Sequence, residues 1–152
     1  MKRIIYMVFM NLFHAPVWLL KIARMARPGD NHTMQQRYDY IAEMTRRIIK
    51  RGRVTIKVTG VEHIPEKDGF MLFPNHQGLF DVLALFSTCP KALSVVIKKE
   101  ASGWILVKQV LGATGSLAMD RKDMKDQVRI IGEVTRLVKE GRNFVIFAEG
   151  HR

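Results

Sequence analysis

The chain has 152 residues, of which 47% are hydrophobic, and it carries a formal net charge of +11. This length allows one hydrophobic core with an appendage and excludes two full domains. The single cysteine, Cys89, excludes an intramolecular disulfide, and the strongly basic balance indicates a polyanionic partner such as a nucleic acid or an anionic membrane.

The N-terminal part of the chain combines an apolar stretch with most of the positive charge. Residues 1–60 contain twelve Lys or Arg residues and three acidic residues, a net charge of +9, whereas the other 92 residues carry +2. Basic side chains flank the apolar residues 4–20 on both sides, instead of lining an aromatic-rich sheet or a zinc module. We therefore expect membrane lipids as the partner of this segment, and no nucleic acid.

The apolar stretch at residues 4–20 is interrupted by Asn11, His14 and Pro16. Its 17 residues are at the lower limit for a helix that crosses a bilayer, which needs about 20. No small-residue cleavage site follows it, so a removed secretory signal is not expected. The pattern favours a helix embedded in one leaflet over a full span.

A second helix is predicted over residues 33–50, after a turn-rich break at residues 27–31. One face is apolar because Ile41, Met44 and Ile48 recur at helical spacing. The other face is basic, with Arg37, Arg46, Arg47 and Lys50. Simple solvation and contact with lipid headgroups are equally open for this basic face. Residues 1–52 are interpreted as an N-terminal membrane-associated helical segment.

Residues 53–152 alternate predicted strands with predicted helices. Period-two alternation or a short apolar run predicts strands at 53–59, 70–73, 94–97, 116–119 and 144–147. Helices are predicted at 79–86, 101–111 and 124–138, the last with Asp123 as its N-cap and an apolar stripe of Met124, Val128, Ile131, Val134 and Val138. The pattern predicts an α/β fold, a mostly parallel sheet flanked by helices, with an N-terminal amphipathic or membrane-embedded helical segment. Active residues are then expected in the loops that follow the strands.

A histidine and an aspartate lie between the strand at 70–73 and the helix that follows it. His76 comes soon after this strand, and Asp81 lies in the first turn of helix 79–86. On one regular helix the two residues would lie roughly 140° apart, so they can meet only across a turn. A histidine oriented by a carboxylate is a general base near neutral pH. The alternative is that His76 caps the turn and Asp81 caps the helix.

Three segments in order resemble the signature of the glycerolipid acyltransferases, the family of 1-acylglycerol-3-phosphate acyltransferase. They are residues 75–81 (Asn-His-Gln-Gly-Leu-Phe-Asp), 115–121 (an apolar strand ending in Asp-Arg) and 147–152 (Phe-Ala-Glu-Gly-His-Arg). Residues 98–100, Lys-Lys-Glu, resemble the basic stretch often found between the first two. Ala148 and His151 stand where the family usually has Pro and Thr. A fourth, Val-Pro-rich block is absent, so we expect the α/β acyltransferase domain at 53–152 to be truncated relative to the family.

The resemblance implies site residues at all three blocks. His76 is the implied catalytic base, and Asp81 is the carboxylate that orients it. The implied substrate-binding residues are Asn75, Lys99, Arg121, Glu149, Gly150 and Arg152. Arg121 and Arg152 suit a phosphate through bidentate guanidinium contacts, with Lys99 behind them. Glu149 suits an acceptor hydroxyl or the orientation of an arginine.

The implied reaction is transfer of a fatty acyl group from acyl-CoA or acyl-carrier protein to the free hydroxyl of 1-acylglycerol-3-phosphate, giving phosphatidic acid. No Gly-x-Ser-x-Gly motif is present, so direct transfer without a serine acyl-enzyme is expected. No metal-ligand spacing or Gly-rich phosphate loop is present either, and we expect no metal and no cofactor besides the donor substrate. The expected location is the cytoplasmic face of the cell membrane. The alternatives are another lysolipid as acceptor, or a truncated, non-catalytic membrane-bound relative.

Overall fold

The computed structural model describes residues 2–75, 78–103 and 105–147. Four strands form one sheet in the order β1-β4-β2-β3: β1 is Met71–Leu72, β2 is Leu93–Lys98, β3 is Leu117–Met119 and β4 is Asn143–Ile146. Every pairing is parallel. The carboxyl ends of the four strands therefore lie along the same edge of the sheet.

Six α-helices surround this sheet in the described part of the chain: α1 (Lys2–Asn11), α2 (Ala15–Met25), α3 (Met34–Arg51), α4 (Leu79–Thr88), α5 (Ile105–Thr114) and α6 (Met124–Lys139). Successive strand residues face opposite sides of the sheet. Val95 and Val145 are buried in a cluster with side chains of α2, α3, α4 and α5, whereas Val96 and Phe144 pack against α6. The result is a three-layer arrangement with a mostly parallel sheet in the middle, which confirms the predicted α/β class.

The N-terminal apolar stretch forms two helices and not one. Pro16 lies in the first turn of α2, where its missing N–H costs no helical hydrogen bond, and it could not continue α1. Several apolar side chains of this region are between 56% and 86% exposed, and we call them the apolar ridge: Phe9, Leu12, Phe13, Val17 and Leu20. Across the described residues, every helix is too short or too polar to span a bilayer.

The predicted strand at 53–59 is wrong. These residues are not assigned to a strand, and the sheet of the described chain consists of β1, β4, β2 and β3. Val58 is 45% exposed. A period-two pattern predicts which side chains alternate, but a strand also needs a partner for its backbone, and none of the described strands supplies one.

The buried face of α6 differs from the predicted apolar stripe. The predicted Val134 is buried and Val138 packs against the same cluster. The predicted Met124, Val128 and Ile131 are exposed instead, and the buried face is completed by Ile130 and Leu137. Both sets follow helical spacing, so periodicity alone does not decide which one meets the sheet. The predicted N-cap is confirmed, because the Asp123 carboxylate accepts the backbone N–H of Lys125 at 2.9 Å.

The other predicted elements are close to the observed ones. α3, α4, β2, β3 and β4 lie where the sequence pattern places them, within one or two residues. The strand predicted at 70–73 is confirmed at Met71 and Leu72, but Phe73 is outside it and 62% exposed. The helix predicted at 101–111 starts later, at Ile105, because a short 3₁₀ helix at Lys99–Gly103 comes first.

The C-terminal end of α3 places an arginine in a left-handed backbone conformation. The Arg53 N–H donates to the Lys50 carbonyl at 3.0 Å, and the Val54 N–H donates to the Ile49 carbonyl at 3.2 Å. In this hydrogen-bond pattern the left-handed residue is usually Gly, yet here it is Arg53, with φ +53°. The glycine stands one position earlier, where a Cβ on Gly52 would lie 2.9 Å from the Met7 side chain. Close packing of α1 therefore requires Gly52, and Arg53 takes the strained conformation.

We predict that Arg53→Gly stabilises the chain. Relief of the left-handed strain, about 1 kcal/mol, outweighs the added freedom of glycine in the unfolded state. The melting temperature is expected to rise by roughly 1–3 °C in a thermal unfolding experiment. Arg53→Ala is the matched control, because it removes the same charge but keeps the strain. An equal rise with alanine would show that the charge, and not the backbone, is responsible.

Candidate active site

The segments that carry the predicted site residues follow strands of one parallel sheet, so they meet at its carboxyl edge. Residues 73–81 follow β1, Lys99 follows β2, and Asp120 and Arg121 follow β3. Phe147 is the last described residue after β4. Since neighbouring strands lie about 4.8 Å apart, β1 and β3 are separated by about 14 Å along this edge.

Asp81 is held at the turn between β1 and α4. It is the third residue of α4, and its carboxylate Oδ2 accepts the backbone N–H of Gly78 at 3.0 Å. The Asp81 N–H donates back to the Gly78 carbonyl at 3.1 Å. Gly78 has φ 171°, an extended conformation open to any residue.

The predicted pairing of His76 with Asp81 cannot be described, because His76 and Gln77 lie outside the described residues. The same holds for Glu149, Gly150 and Arg152. Asn75 is described and exposed, directly before this gap. The described part of the first block is thus an exposed amide and a carboxylate at the start of α4, on either side of residues 76 and 77.

A buried asparagine ties the strand of the first block to its neighbours. The Asn143 side chain is buried, and its Oδ1 accepts the backbone N–H of Gly69 at 2.8 Å. Its Nδ2 donates to an Asp68 carboxylate oxygen and to the Ala92 carbonyl, both at 3.1 Å. These bonds join the segments leading into β1 and β2 to the first residue of β4. Asn143 was not among the predicted site residues, although a polar residue at the start of an apolar strand was a visible signal.

The charge on Asp68 is part of the same arrangement. Asn143 and then the Lys91 ammonium, 3.2 Å away, hold the pKa of the Asp68 carboxyl below its usual value. The approach at Gly69 is also close, since a Cβ there would lie 2.7 Å from the Val138 carbonyl of α6. Gly69 has φ +95°, which again favours glycine. These contacts therefore fix β1 at its amino end, on the edge of the sheet opposite the candidate site.

Asp120, directly after β3, organises the second block. Its Oδ2 lies 3.2 Å from the Lys99 ammonium, and its Oδ1 accepts the Lys122 N–H at 2.9 Å. The Lys122 N–H and then Lys99 lower the pKa of the Asp120 carboxyl. This pair connects the ends of β2 and β3. Lys99 remains 65% exposed, but part of its charge is compensated.

Asp126 holds the backbone of this corner from α6. Its carboxylate accepts the Asp120 N–H at 2.7 Å and contacts the Arg129 guanidinium at 2.6 Å. The Asp120 N–H, followed by Arg129, lowers the pKa of the Asp126 carboxyl. Asp126 was not among the predicted site residues. Its spacing of three residues from the N-cap Asp123 was the available signal.

Arg121 supplies an exposed positive charge at the same corner. Its side chain is exposed, and its carbonyl accepts a hydrogen bond from Gln127 Nε2 at 2.9 Å. Among residues 2–75, 78–103 and 105–147, no carboxylate forms an ion pair with the Arg121 guanidinium. Asp120 is engaged with Lys99 instead. The corner therefore presents a cation to a ligand at the carboxyl edge, and a guanidinium suits a phosphate.

The comparisons with known proteins agree with the three sequence blocks. The family model described as Acyltransferase matches residues 55–152. A 1-acyl-sn-glycerol-3-phosphate acyltransferase of Borreliella burgdorferi is 27% identical over 99 residues, which are 65% of this chain and 40% of that protein. A protein of the same name from Helicobacter pylori is 32% identical over 78 residues, 51% of this chain and 33% of that protein.

The chain thus spans 40% and 33% of the length of these two relatives. No solved structure matches it. The family model covers well over half of the chain and includes the segments after all four strands. The chain belongs to the acyltransferase family.

Proposed function

We propose that this chain carries the site for transfer of a fatty acyl group from acyl-CoA or acyl-carrier protein to 1-acylglycerol-3-phosphate, giving phosphatidic acid. The observation that carries the proposal is the shared edge of the sheet. It puts the turn with Asp81 and the exposed Arg121 guanidinium on the same side of the molecule. The names of the two relatives support the same acceptor.

In the proposed mechanism His76 takes the proton of the acceptor hydroxyl as its oxygen attacks the thioester carbonyl carbon. The tetrahedral intermediate then collapses with cleavage of the C–S bond. The leaving sulfur receives the proton from the imidazolium and departs as a thiol. Asp81, fixed at the start of α4, orients the imidazole across the turn.

The acceptor phosphate is assigned to the corner after β3. Arg121 donates to the phosphate, while the Lys99–Asp120 pair and Asp126 hold the backbone that carries it. Because the free hydroxyl and the phosphate of the acceptor are only four bonds apart, the loops after β1 and β3 and the Arg121 side chain must cover most of the about 14 Å between the two strands. A phosphomonoester acceptor is favoured over a neutral lysolipid because Arg121 has no protein carboxylate to neutralise it within the described residues.

We also propose that the chain works at the cytoplasmic face of the membrane, with α1 and α2 embedded in one leaflet. The apolar ridge supports this placement, because exposed Phe13 and Leu20 side chains favour an apolar environment. Lys21 and Arg24 on α2 are suited to contact anionic headgroups. The acceptor and the product are themselves membrane lipids.

His76→Ala is expected to reduce acyl transfer by about 10²- to 10⁴-fold, because the hydroxyl proton has no acceptor of matched pKa. The measurement is thiol release from acyl-CoA with lysophosphatidic acid dispersed in detergent. His63→Ala is the matched control, since the His63 side chain is 83% exposed. Turnover of His76→Ala close to that of the unchanged chain would refute the assignment. No release by the unchanged chain would favour the non-catalytic alternative.

Arg121→Ala is expected to raise the KM for lysophosphatidic acid by roughly 10- to 100-fold, the cost of losing a charged hydrogen bond to phosphate. The KM for the acyl donor should stay unchanged. Steady-state kinetics with each substrate varied in turn measures both constants. Lys122→Ala is the control for loss of a neighbouring exposed charge. An equal rise in both KM values would contradict the phosphate role.

A further inference from the structure

A basic groove of about 550 Å³ lies away from the candidate active site. It is bounded by the end of α3, the segment that follows it and the end of α4. Its lining residues are Arg46, Ile49, Lys50, Arg53, Val54, Thr55, Ile56, Ser87 and Thr88. Asp81 is at the opposite end of α4, a helix of ten residues and thus about 15 Å long. The groove is therefore separate from the site that holds Asp81.

The groove contains three cations, of which two have no ion-pair partner among the described residues. Arg46 donates to Glu43 at 3.1 Å and to the Ser87 carbonyl at 3.3 Å, so its position is fixed against α4. In the part of the chain that is described, Lys50 and Arg53 form no side-chain ion pair. The lining includes no acidic residue. Three cations thus face a concave surface, which is the arrangement that binds an anion.

The backbone conformation of Arg53 adds a second observation. A large side chain with φ +53° is uncommon, and glycine would satisfy the end of α3 without strain. A residue kept in such a conformation at a concave surface is a reason to look for a function. The strained Arg53 is also one of the two groove cations that form no ion pair with a described residue.

The groove adjoins the membrane-facing helices. Gly52 packs against Met7 of α1, and the Arg51 guanidinium donates to Asn11 Oδ1 at 3.1 Å. Arg51 also lies over the Trp18 ring of α2, 5.5 Å from its centroid. The end of α3 is thus fixed beside the two helices that carry the apolar ridge. Apolar residues next to a basic site are what a protein on an anionic leaflet presents.

We propose that this groove binds the phosphate of an anionic phospholipid headgroup, as a second lipid site distinct from the acceptor site. Arg46 and Arg53 donate to the phosphate oxygens, and the Lys50 ammonium adds a third positive charge. The Ser87 and Thr88 hydroxyls already donate to the Ala84 carbonyl at 2.8 Å. The inference rests on the membrane placement in the proposed function, and it assigns the headgroup that stabilises this placement.

Vesicle binding of the full chain tests the site. The vesicles contain 30% phosphatidylglycerol in phosphatidylcholine, or phosphatidylcholine alone, and bound protein is measured after sedimentation at 0.1 M salt. Lys50→Gln/Arg53→Gly is expected to lower binding to the anionic vesicles about 30-fold, from two lost headgroup contacts. Binding to phosphatidylcholine alone should not change. Glycine at position 53 is compatible with the backbone there, so the variant is expected to fold.

The matched control is Lys67→Gln/Lys139→Gln, which removes two exposed charges outside the groove. It should lower binding to anionic vesicles less than threefold. An equal loss in the control would assign the effect to overall charge and overturn the site. Full binding by the groove variant would overturn it as well.

A titration with soluble glycerol 3-phosphate distinguishes binding of a lipid headgroup from binding of a soluble phosphate ester. Titration followed by NMR should give millimolar or weaker binding to the unchanged chain. Micromolar binding that is lost in the groove variant, together with unchanged vesicle binding, would assign the groove to a soluble phosphate ester and refute the lipid proposal. The thiol-release assay in detergent contains no vesicles, so failure of acyl transfer and failure of this site are observed separately.

Discussion

The side-chain amide of Asn143 is the contact on which the placement of the first block depends. β1 is only two residues long and lies at the edge of the sheet, so its own backbone pairing is limited. Asn143 binds Gly69, Asp68 and Ala92, and it joins the entry of β1 to two neighbouring strands. Burial makes these hydrogen bonds costly to lose. The turn that carries Asp81 is reached through this short strand.

Because every strand pair is parallel, segments that are far apart in the sequence come together at one edge of the sheet. Blocks separated by tens of residues follow different strands, yet all of these strands end at the same edge. The two corners of this edge are built differently. Asp81 secures the start of α4 by accepting one backbone N–H, whereas the corner after β3 relies on Asp120, Asp126 and Lys99 together. Among the described residues, the carboxylates of this second corner pair with Lys99 and Arg129, and Arg121 is exposed.

Sequence patterns predicted the α/β class, most helices and the strands of the interior because long apolar or strongly periodic segments have few alternatives. These patterns failed where the structure of a segment depends on which neighbouring element it pairs with or packs against. Residues 53–59 alternate like a strand but lack a neighbour, and α6 has two apolar faces of similar spacing. The family blocks could be recognised from local sequence, and the family model covers residues 55–152. The contacts of Asn143 and of the basic groove could not be predicted in this way, since they join residues 41 to 75 positions apart.

The two sides of the sheet are unequally buried. Thirteen buried residues form the described cluster on the side of α2 to α5, and five form the cluster under α6. Local unfolding follows such differences, because a layer with little buried apolar area opens at a lower free energy. The α6 layer should therefore exchange its amide hydrogens faster than α3 or α4. Each opening would release the support that Asp126 gives to the Arg121 corner, while the turn at Asp81 stays folded.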